Sequence, residues 1–331
     1  MTELDKDSAH LLTALSQPNL KSVEILSFLD PATLDPSDSN IKPYGSFVLI
    51  DTVLGIPKRA LYKVFNTIIY EYNSLLSQVE RPDADAEQWD RLYRLTDIIC
   101  LVTYDNLTAI NSRKRFLQRL VGIDSGNAVN ALKKELSWLE LLFSSPLPKQ
   151  TKSSMLWQHR TWVYDKLSYL LSADYKQAKL VIDIQKELDL VIRASELHPR
   201  NYYAWSYARR LSYLSLTDEE FKAVLKKVFQ TCRLHASDIS CWTFLAFLLT
   251  NSALTPSTTT QFYLNQILDY VKIVGTSHES IWSAVRLIVV YQVKVLGSFD
   301  GYGLVVGKLN GKSGVERIET WLSRIHNAEH A

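Results

Sequence analysis

The spacing of apolar residues along most of the chain predicts α-helices. From Pro57 onward, apolar side chains recur every three or four residues, which places them on one helix face. The first set runs from Leu61 to Leu76, and a second runs from about Glu87 to Leu101. Pro57 suits a first helical turn, where a missing N–H costs nothing. Later sets are Leu132, Leu136 and Leu139; Ile184, Leu188, Val191 and Ser195; and Phe221, Val224, Leu225, Val228, Phe229 and Cys232.

Polar residues mark where several of these helices begin. Thr217 followed by Glu220 predicts a capping box, because each side chain can bond a free backbone N–H at the helix start. Pro256 after Thr255 predicts another start. Only residues 46–51, SFVLID, alternate enough to suggest an extended segment. The expected fold class is therefore all-α.

The two ends of the chain differ from this regular pattern. Residues 1–45 hold two short helical patterns and then PATLDPSDSNIKPYG. The Pro, Asp, Ser and Gly residues of this stretch interrupt helical periodicity and predict an N-terminal arm with a linker. Residues 46–331 would form the helical domain. Six of the eleven glycines fall within 297–314, which predicts an irregular loop before a last short helix at about 316–324.

Five segments share one sequence pattern, in which a turn rich in Pro, Asn, Asp or Ser precedes a large residue. We call that large residue the anchor. Intervals of 47, 48, 37 and 40 residues separate the anchors, enough for two helices and two loops each. We expect the anchors to fill gaps between neighbouring pairs, Asn201 to cap a helix, and an Arg one turn later to bond loop carbonyls of the adjacent repeat. The anchors and their partners are Ile110, Arg113, Trp157, Arg160, Asn201, Trp205, Arg209, Trp242, Trp282 and Arg286.

Composition narrows the classes of partner. With 37 Lys and Arg against 35 Asp and Glu, the formal net charge is +2. This excess of positive charge is too small to indicate binding to nucleic acid or to a bilayer. No run approaches the length of about 20 apolar residues that spans a membrane, so a cytoplasmic protein is expected. Cys100, Cys232 and Cys241 lack a CxxC pair, so we predict buried thiols rather than a zinc site.

Five units centred on a PxNYxxWxxR pattern, within residues 87–295, resemble the repeats of protein prenyltransferase α subunits. HPRNYYAW at 198–205 keeps most of that pattern. YGSFVLIDTVLGIPKRALYKVF at 44–65 further resembles the α-subunit repeat-containing family, the α subunit of type III geranylgeranyltransferase. The departures include Ile110 for the first Trp and Leu245 for the fourth Arg.

The resemblance implies a crescent-shaped superhelix of antiparallel helix pairs wrapped around a β subunit of the Rab geranylgeranyltransferase type. That partner would hold the zinc and the geranylgeranyl diphosphate, and this chain would bind no cofactor and be inactive alone. The substrate would be a protein with a C-terminal cysteine, such as an already farnesylated Golgi SNARE. Lys152 and Tyr203 fall at the positions that face the diphosphate. Ser154 replaces a family tyrosine, and Tyr203 replaces a histidine.

Other functions fit the sequence less well. A TPR-like adaptor that binds peptides without an enzymatic partner is the main alternative, although TPR units repeat every 34 residues. Gly311, Lys312 and Ser313 match the end of a phosphate-binding loop, but Val306 stands where its first glycine should be. No Ser, His and Asp set can be assembled for a self-contained hydrolase. We therefore expect a partner-binding subunit.

Overall fold

The computed structural model describes residues 3–29, 34–35, 37–171, 183–212, 216–251, 255–275, 277–298, 300–309 and 320. Helices dominate these residues, and one four-stranded sheet lies near the start. The chain divides into two compact units, Met1–Tyr207 and Ala208–Ala331. The predicted domain boundary at residue 45 falls in the turn between the second and third strands. Among the described helices, none is both long and apolar enough to cross a membrane.

Fourteen helices lie within the described residues. The first unit contains α1 (Glu3–Leu15), α2 (Lys58–Val79), α3 (Ala86–Val102), α4 (Leu107–Ile123), α5 (Ser125–Ser144), α6 (Pro148–Thr151), α7 (Ser154–Leu171) and α8 (Ile184–Leu197). The unit boundary crosses α9 (Tyr202–Ser212), and the second unit continues with α10 (Asp218–Leu234), α11 (Ile239–Leu249), α12 (Ser257–Val274), α13 (Glu279–Leu296) and α14 (Asp300–Leu309). Helix α3 packs on α4, α5 on α7, α10 on α11 and α12 on α13.

The helix starts predicted at Thr217 and Pro256 are confirmed. Thr217 Oγ1 accepts a hydrogen bond from the Glu220 amide, and the Glu220 carboxylate accepts one from the Thr217 amide. Helix α12 begins directly after Pro256. Pro57, expected within a first helical turn, instead ends β4, and α2 begins at the next residue. In α2 and α10 the predicted apolar face supplies most of the buried side chains, because burial of that face stabilises a helix more than intrinsic propensity does.

The prediction of an all-α chain is wrong for residues 22–57. Strands β1 (Ser22–Leu26), β2 (Ile41–Tyr44), β3 (Phe47–Ile50) and β4 (Val53–Pro57) form a sheet in the order β1-β4-β3-β2. Strand β1 pairs parallel with β4, while β2–β3 and β3–β4 are antiparallel hairpins. The expected extended segment at 46–51 is confirmed by β3. The second helical pattern of the arm is a strand instead, and Ile41–Tyr44, assigned to a linker, is an edge strand.

Tight turns and a packed face explain the sheet. Gly45 and Asp51 have φ values of +60° and +54°, a left-handed conformation that Gly and Asp tolerate better than most residues. A Cβ atom at Gly45 would lie 2.4 Å from the His10 ring, so only glycine fits there. On the other edge, the Val23 amide donates to Ser145 Oγ at 2.9 Å, which ties β1 to the end of α5.

The glycine-rich segment also differs from the prediction. Residues 300–309 form α14, which packs against α12 and α13, where an irregular loop was expected. Gly301 allows this close approach, since a Cβ atom there would lie 1.8 Å from Gln292 Oε1. Tertiary packing therefore overrides the low helix propensity of glycine. The phosphate-loop-like residues Gly311, Lys312 and Ser313, and the last predicted helix apart from residue 320, lie outside the described residues.

Candidate functional site

Lys152 lies in the short turn between α6 and α7. Its side chain is exposed, and its Nζ donates a hydrogen bond to the Pro199 carbonyl at 2.9 Å. Pro199 belongs to the turn that precedes α9, so the lysine bridges two turns that are 47 residues apart in the sequence. Burial lowers the pKa of His198, and the positive charge of Lys152 lowers it further. The ammonium group therefore lies beside the start of α9.

Two exposed tyrosines follow on the first turn of α9. Tyr202 is 61% exposed and Tyr203 is 41% exposed, and their rings meet edge to face at a centroid distance of 5.5 Å. We call Lys152, Pro199, Tyr202 and Tyr203 the 152–203 edge. It offers one ammonium and two phenol groups, which can hold an anionic or hydrogen-bonding group of a ligand. The described residues contain no group of His, Cys, Asp and Glu arranged to hold a metal ion.

Buried hydrogen bonds fix the two turns against each other. The Thr151 carbonyl accepts from Asn201 Nδ2 and from Trp157 Nε1, each at 2.9 Å. Asn201 Oδ1 also accepts from the Ala204 amide at 3.3 Å, so Asn201 caps α9 as predicted and joins the neighbouring turn as well. Ser153 makes a similar bond to Asp105, at 2.5 Å. These bonds place the 152–203 edge on a rigid base.

The five anchors lie in helices α4, α7, α9, α11 and α13, and all are at most 2% exposed. Trp157 shows how such a residue packs. Its ring stacks on Phe143 of α5 at a centroid distance of 3.8 Å and contacts Tyr207 of α9 at 5.2 Å. A single tryptophan of α7 therefore joins α5 and α9, which is a packing role. Ile110, Trp205, Trp242 and Trp282 are buried in the same way.

Arg113 is buried in a charged cluster that the sequence reasoning missed. It donates to Glu135 of α5 through two nitrogens, at 2.7 and 2.6 Å. Asp97 accepts a further bond at 2.5 Å, and the guanidinium stacks over Trp138 at 3.7 Å. His159 Nε2 lies 2.6 Å from the same Glu135 carboxylate. Burial raises the pKa of Glu135, but Arg113 and His159 outweigh burial and hold that pKa well below its ordinary value.

Arg160 of α7 is buried in a similar arrangement. It donates to Glu187 of α8 through two nitrogens, at 2.8 and 2.6 Å, and to the Leu136 carbonyl at 2.9 Å. Tyr207 donates to the same carboxylate at 2.7 Å, and Tyr164 donates as well. Burial opposes ionisation of Glu187, yet Arg160 and the phenols lower its pKa.

For Arg113 and Arg160, the prediction of bonds to loop carbonyls is wrong. A buried guanidinium needs a counter-charge, because the Coulomb attraction must repay the desolvation of both ions. Glutamates from the following helix supply that charge for Arg113 and Arg160. Arg209 is only half-buried and lies 5.7 Å from the Phe247 ring, and Arg286 pairs with Glu279 on its own helix.

A sequence signal for Glu135 and Glu187 exists. Each follows a lysine and precedes a leucine, and each interrupts an apolar stripe, as in Leu132, Glu135 and Leu139. A charged residue at a core position predicts a buried partner of opposite charge. Reading these two positions against the arginines of the neighbouring helices would have identified both pairs.

Acid should destabilise the first unit below about pH 4.5. Glu135 and Glu187 have folded pKa values below their ordinary value of 4.5, so their contribution is complete above that pH and is lost as pH falls. Asp97, whose pKa is raised mainly by burial, offsets part of the loss. Urea midpoints between about pH 7 and pH 3.5 measure the effect. Glu187→Gln should flatten this pH dependence, and a midpoint that stays constant in the natural chain would contradict the assignment.

Comparison with known proteins corrects the sequence resemblance. A family model described as the ECM9 middle domain matches residues 161–273, about a third of the chain. No curated protein matches the chain. The matching family is not a prenyltransferase α-subunit family, so the family assignment made from the repeat pattern is wrong. The pattern misled because its Asn and Trp positions cap and pack helices, which does not require a prenyltransferase.

Proposed function

We propose that this chain is a partner-binding helical subunit that presents the 152–203 edge to an anionic group in a complex. The main support is that Lys152 bonds the turn that precedes α9, whose first helical turn carries Tyr203, 51 positions later in the sequence. A buried hydrogen bond from Asn201 to the Thr151 carbonyl also joins the two segments. Both side chains remain exposed. The helices of this subunit would form pairs that stack into a superhelix. The protein would be cytoplasmic.

The proposed reaction is the transfer of a geranylgeranyl group to a protein cysteine. The chain would serve as the subunit without zinc in a heterodimeric protein geranylgeranyltransferase, most like type III, whose Rab-type β subunit carries zinc and geranylgeranyl diphosphate. Lys152 would stabilise charge on the departing diphosphate, and Tyr203 would donate one hydrogen bond to it. The support for this form is the geometry of the edge and does not include membership of a prenyltransferase family.

Co-expression with such a β subunit tests both forms. We expect a one-to-one complex on gel filtration, with transfer of the prenyl group to a protein cysteine. Lys152→Ala should lower turnover roughly 10- to 100-fold and leave the complex intact, because it removes a cation beside developing negative charge. Lys133→Ala, at an exposed position on α5, is the matched control and should change neither quantity.

The outcomes separate the alternatives. If the complex forms and Lys152→Ala leaves the rate of prenyl transfer unchanged, the chain is a subunit but the 152–203 edge takes no part in the chemistry. A chain that stays a monomer beside the β subunit would contradict the enzymatic form and favour the helical-repeat adaptor, which binds peptides without an enzymatic partner. Tyr203→Phe refines the result, since it removes one hydroxyl donor and keeps the ring.

A further inference from the structure

Two cysteines of the second unit face each other across the turn between α10 and α11. The Sγ atoms of Cys232 and Cys241 are 3.1 Å apart, and the side chains are 0% and 1% exposed. Both are free thiols, as is the buried Cys100 of the first unit. A disulfide has a sulfur–sulfur distance of about 2.05 Å, so closing the bond requires a movement of about 1 Å. The pair is therefore placed for a bond that the structure does not yet contain.

The local backbone holds the pair in this position. Cys232 lies in the last turn of α10, whose chain end is fixed by the bond from the His235 amide to the Thr231 carbonyl at 3.0 Å. Cys241 lies in the first turn of α11, where its amide donates to the capping Asp238 carboxylate at 3.2 Å. Because both helix ends are anchored, the sulfurs stay adjacent without further ordering.

We propose that Cys232 and Cys241 are a site of reversible oxidative modification that forms an intrachain disulfide with a peroxide. One thiolate attacks a peroxide oxygen of hydrogen peroxide, which gives a sulfenic acid and, after proton transfer, one water. The other thiolate attacks that sulfur, the sulfur–oxygen bond breaks, and the hydroxyl leaves as a second water. Two thiols and one peroxide thus give one disulfide and two waters, and a dithiol reductant reverses the change.

Burial decides which oxidant can act. Since neither thiol is more than 1% exposed, a small neutral oxidant reaches the pair more readily than a bulky disulfide such as oxidised glutathione. Burial, together with the bond to Cys241, raises the pKa of Cys232 well above its ordinary value, so the reaction should be slow at neutral pH. Cys100 is equally buried, with a pKa raised to about 12, but no second thiol contacts it among the described residues.

Peptide mapping of the full chain tests the proposal. The chain is treated with hydrogen peroxide, unfolded in the presence of N-ethylmaleimide, and digested without reductant. We expect a linked pair of peptides containing Cys232 and Cys241 that lacks two hydrogen atoms, with maleimide on Cys100 alone. The melting temperature of the second unit should rise by roughly 5–10 °C, because the bond closes a short loop of the unfolded chain. Dithiothreitol should return both the peptide map and the melting temperature to their values before oxidation.

Single variants supply the controls. Cys100→Ser should leave the linked peptide pair unchanged, and Cys241→Ser should abolish it. Maleimide on all three cysteines of the natural chain after peroxide would overturn the proposal. So would a disulfide that includes Cys100 or that joins two chains. Because the peptide map of the natural chain decides the question, it does not depend on the folding of any variant.

Discussion

Replacing Glu187 with glutamine should lower the free energy of unfolding of the first unit by about 3–5 kcal/mol, because it leaves a buried guanidinium without its counter-charge. Arg160 is 1% exposed and has no other carboxylate partner among the described residues. The new amide group would also direct two hydrogens toward donors, since Arg160, Tyr164 and Tyr207 all donate to this carboxylate. Such a loss is a large part of the 5–15 kcal/mol typical of a folded domain.

The measurement must report on the first unit alone, because a chain of two units need not unfold in one step. Hydrogen exchange of the α7 and α8 amides provides that local readout, and the urea midpoint provides a second. Glu196→Gln is the matched control, at an exposed position on the same helix, and should change stability by less than about 0.5 kcal/mol. Equal effects of the two substitutions would contradict a special role for Glu187.

A double variant tests the physical cause. Replacing both Arg160 and Glu187 with leucine removes the unpaired charge and substitutes apolar packing, which is often neutral or stabilising. Here the hydroxyls of Tyr164 and Tyr207 would still lose their acceptor. Each buried hydroxyl without a hydrogen-bond partner lowers the free energy of unfolding by about 1–3 kcal/mol. The double variant should therefore be less stable than the natural chain. A non-additive result in the double-mutant cycle would show that the two residues act as a pair.

The second large effect is expected for Trp157→Ala, which should lower the stability of the first unit by about 3–5 kcal/mol. The change opens a cavity between Phe143 and Tyr207 and removes the hydrogen bond to the Thr151 carbonyl. Trp157→Phe also removes that hydrogen bond but keeps an aromatic ring, so it leaves a smaller cavity and should cost less. Urea unfolding together with hydrogen exchange of the α5 and α7 amides measures the loss of stability in both variants.

Tyr169→Ala is the matched control for this experiment. Tyr169 is on the same helix as Trp157 but is 76% exposed, so its removal should leave stability within about 0.5 kcal/mol. If Trp157→Ala were no more harmful than Tyr169→Ala, the tryptophan would not be a packing anchor. The result would then favour a surface or ligand role for the anchor positions.

Stability and function can be separated by these substitutions. Glu187 and Trp157 are buried and hold α5, α7, α8 and α9 together, whereas Lys152 is exposed and makes one hydrogen bond. A change at Lys152 should therefore alter the proposed activity without altering folding. Changes at the buried positions should lower activity only to the extent that they unfold the first unit.

The amino-acid sequence determined the helices that bury one apolar face, together with their capped starts and their anchors. Such features depend on residues within a turn or two of each other, as with Thr217 and Glu220, so they can be read locally. The burial of the three cysteines was likewise predictable from residue type. The family could not be assigned correctly in this way, because capping and packing residues recur in unrelated helix pairs.

The tertiary structure decided the rest. Strand β1 exists only because it pairs with β4, 31 residues later, and a five-residue strand has no periodicity long enough to distinguish it from a helix. Helix α14 forms because Gly301 allows close contact with α12 and α13. Pairing of buried charges depends on distance in space, so the carboxylates that neutralise Arg113 and Arg160 became visible only once the helices were packed.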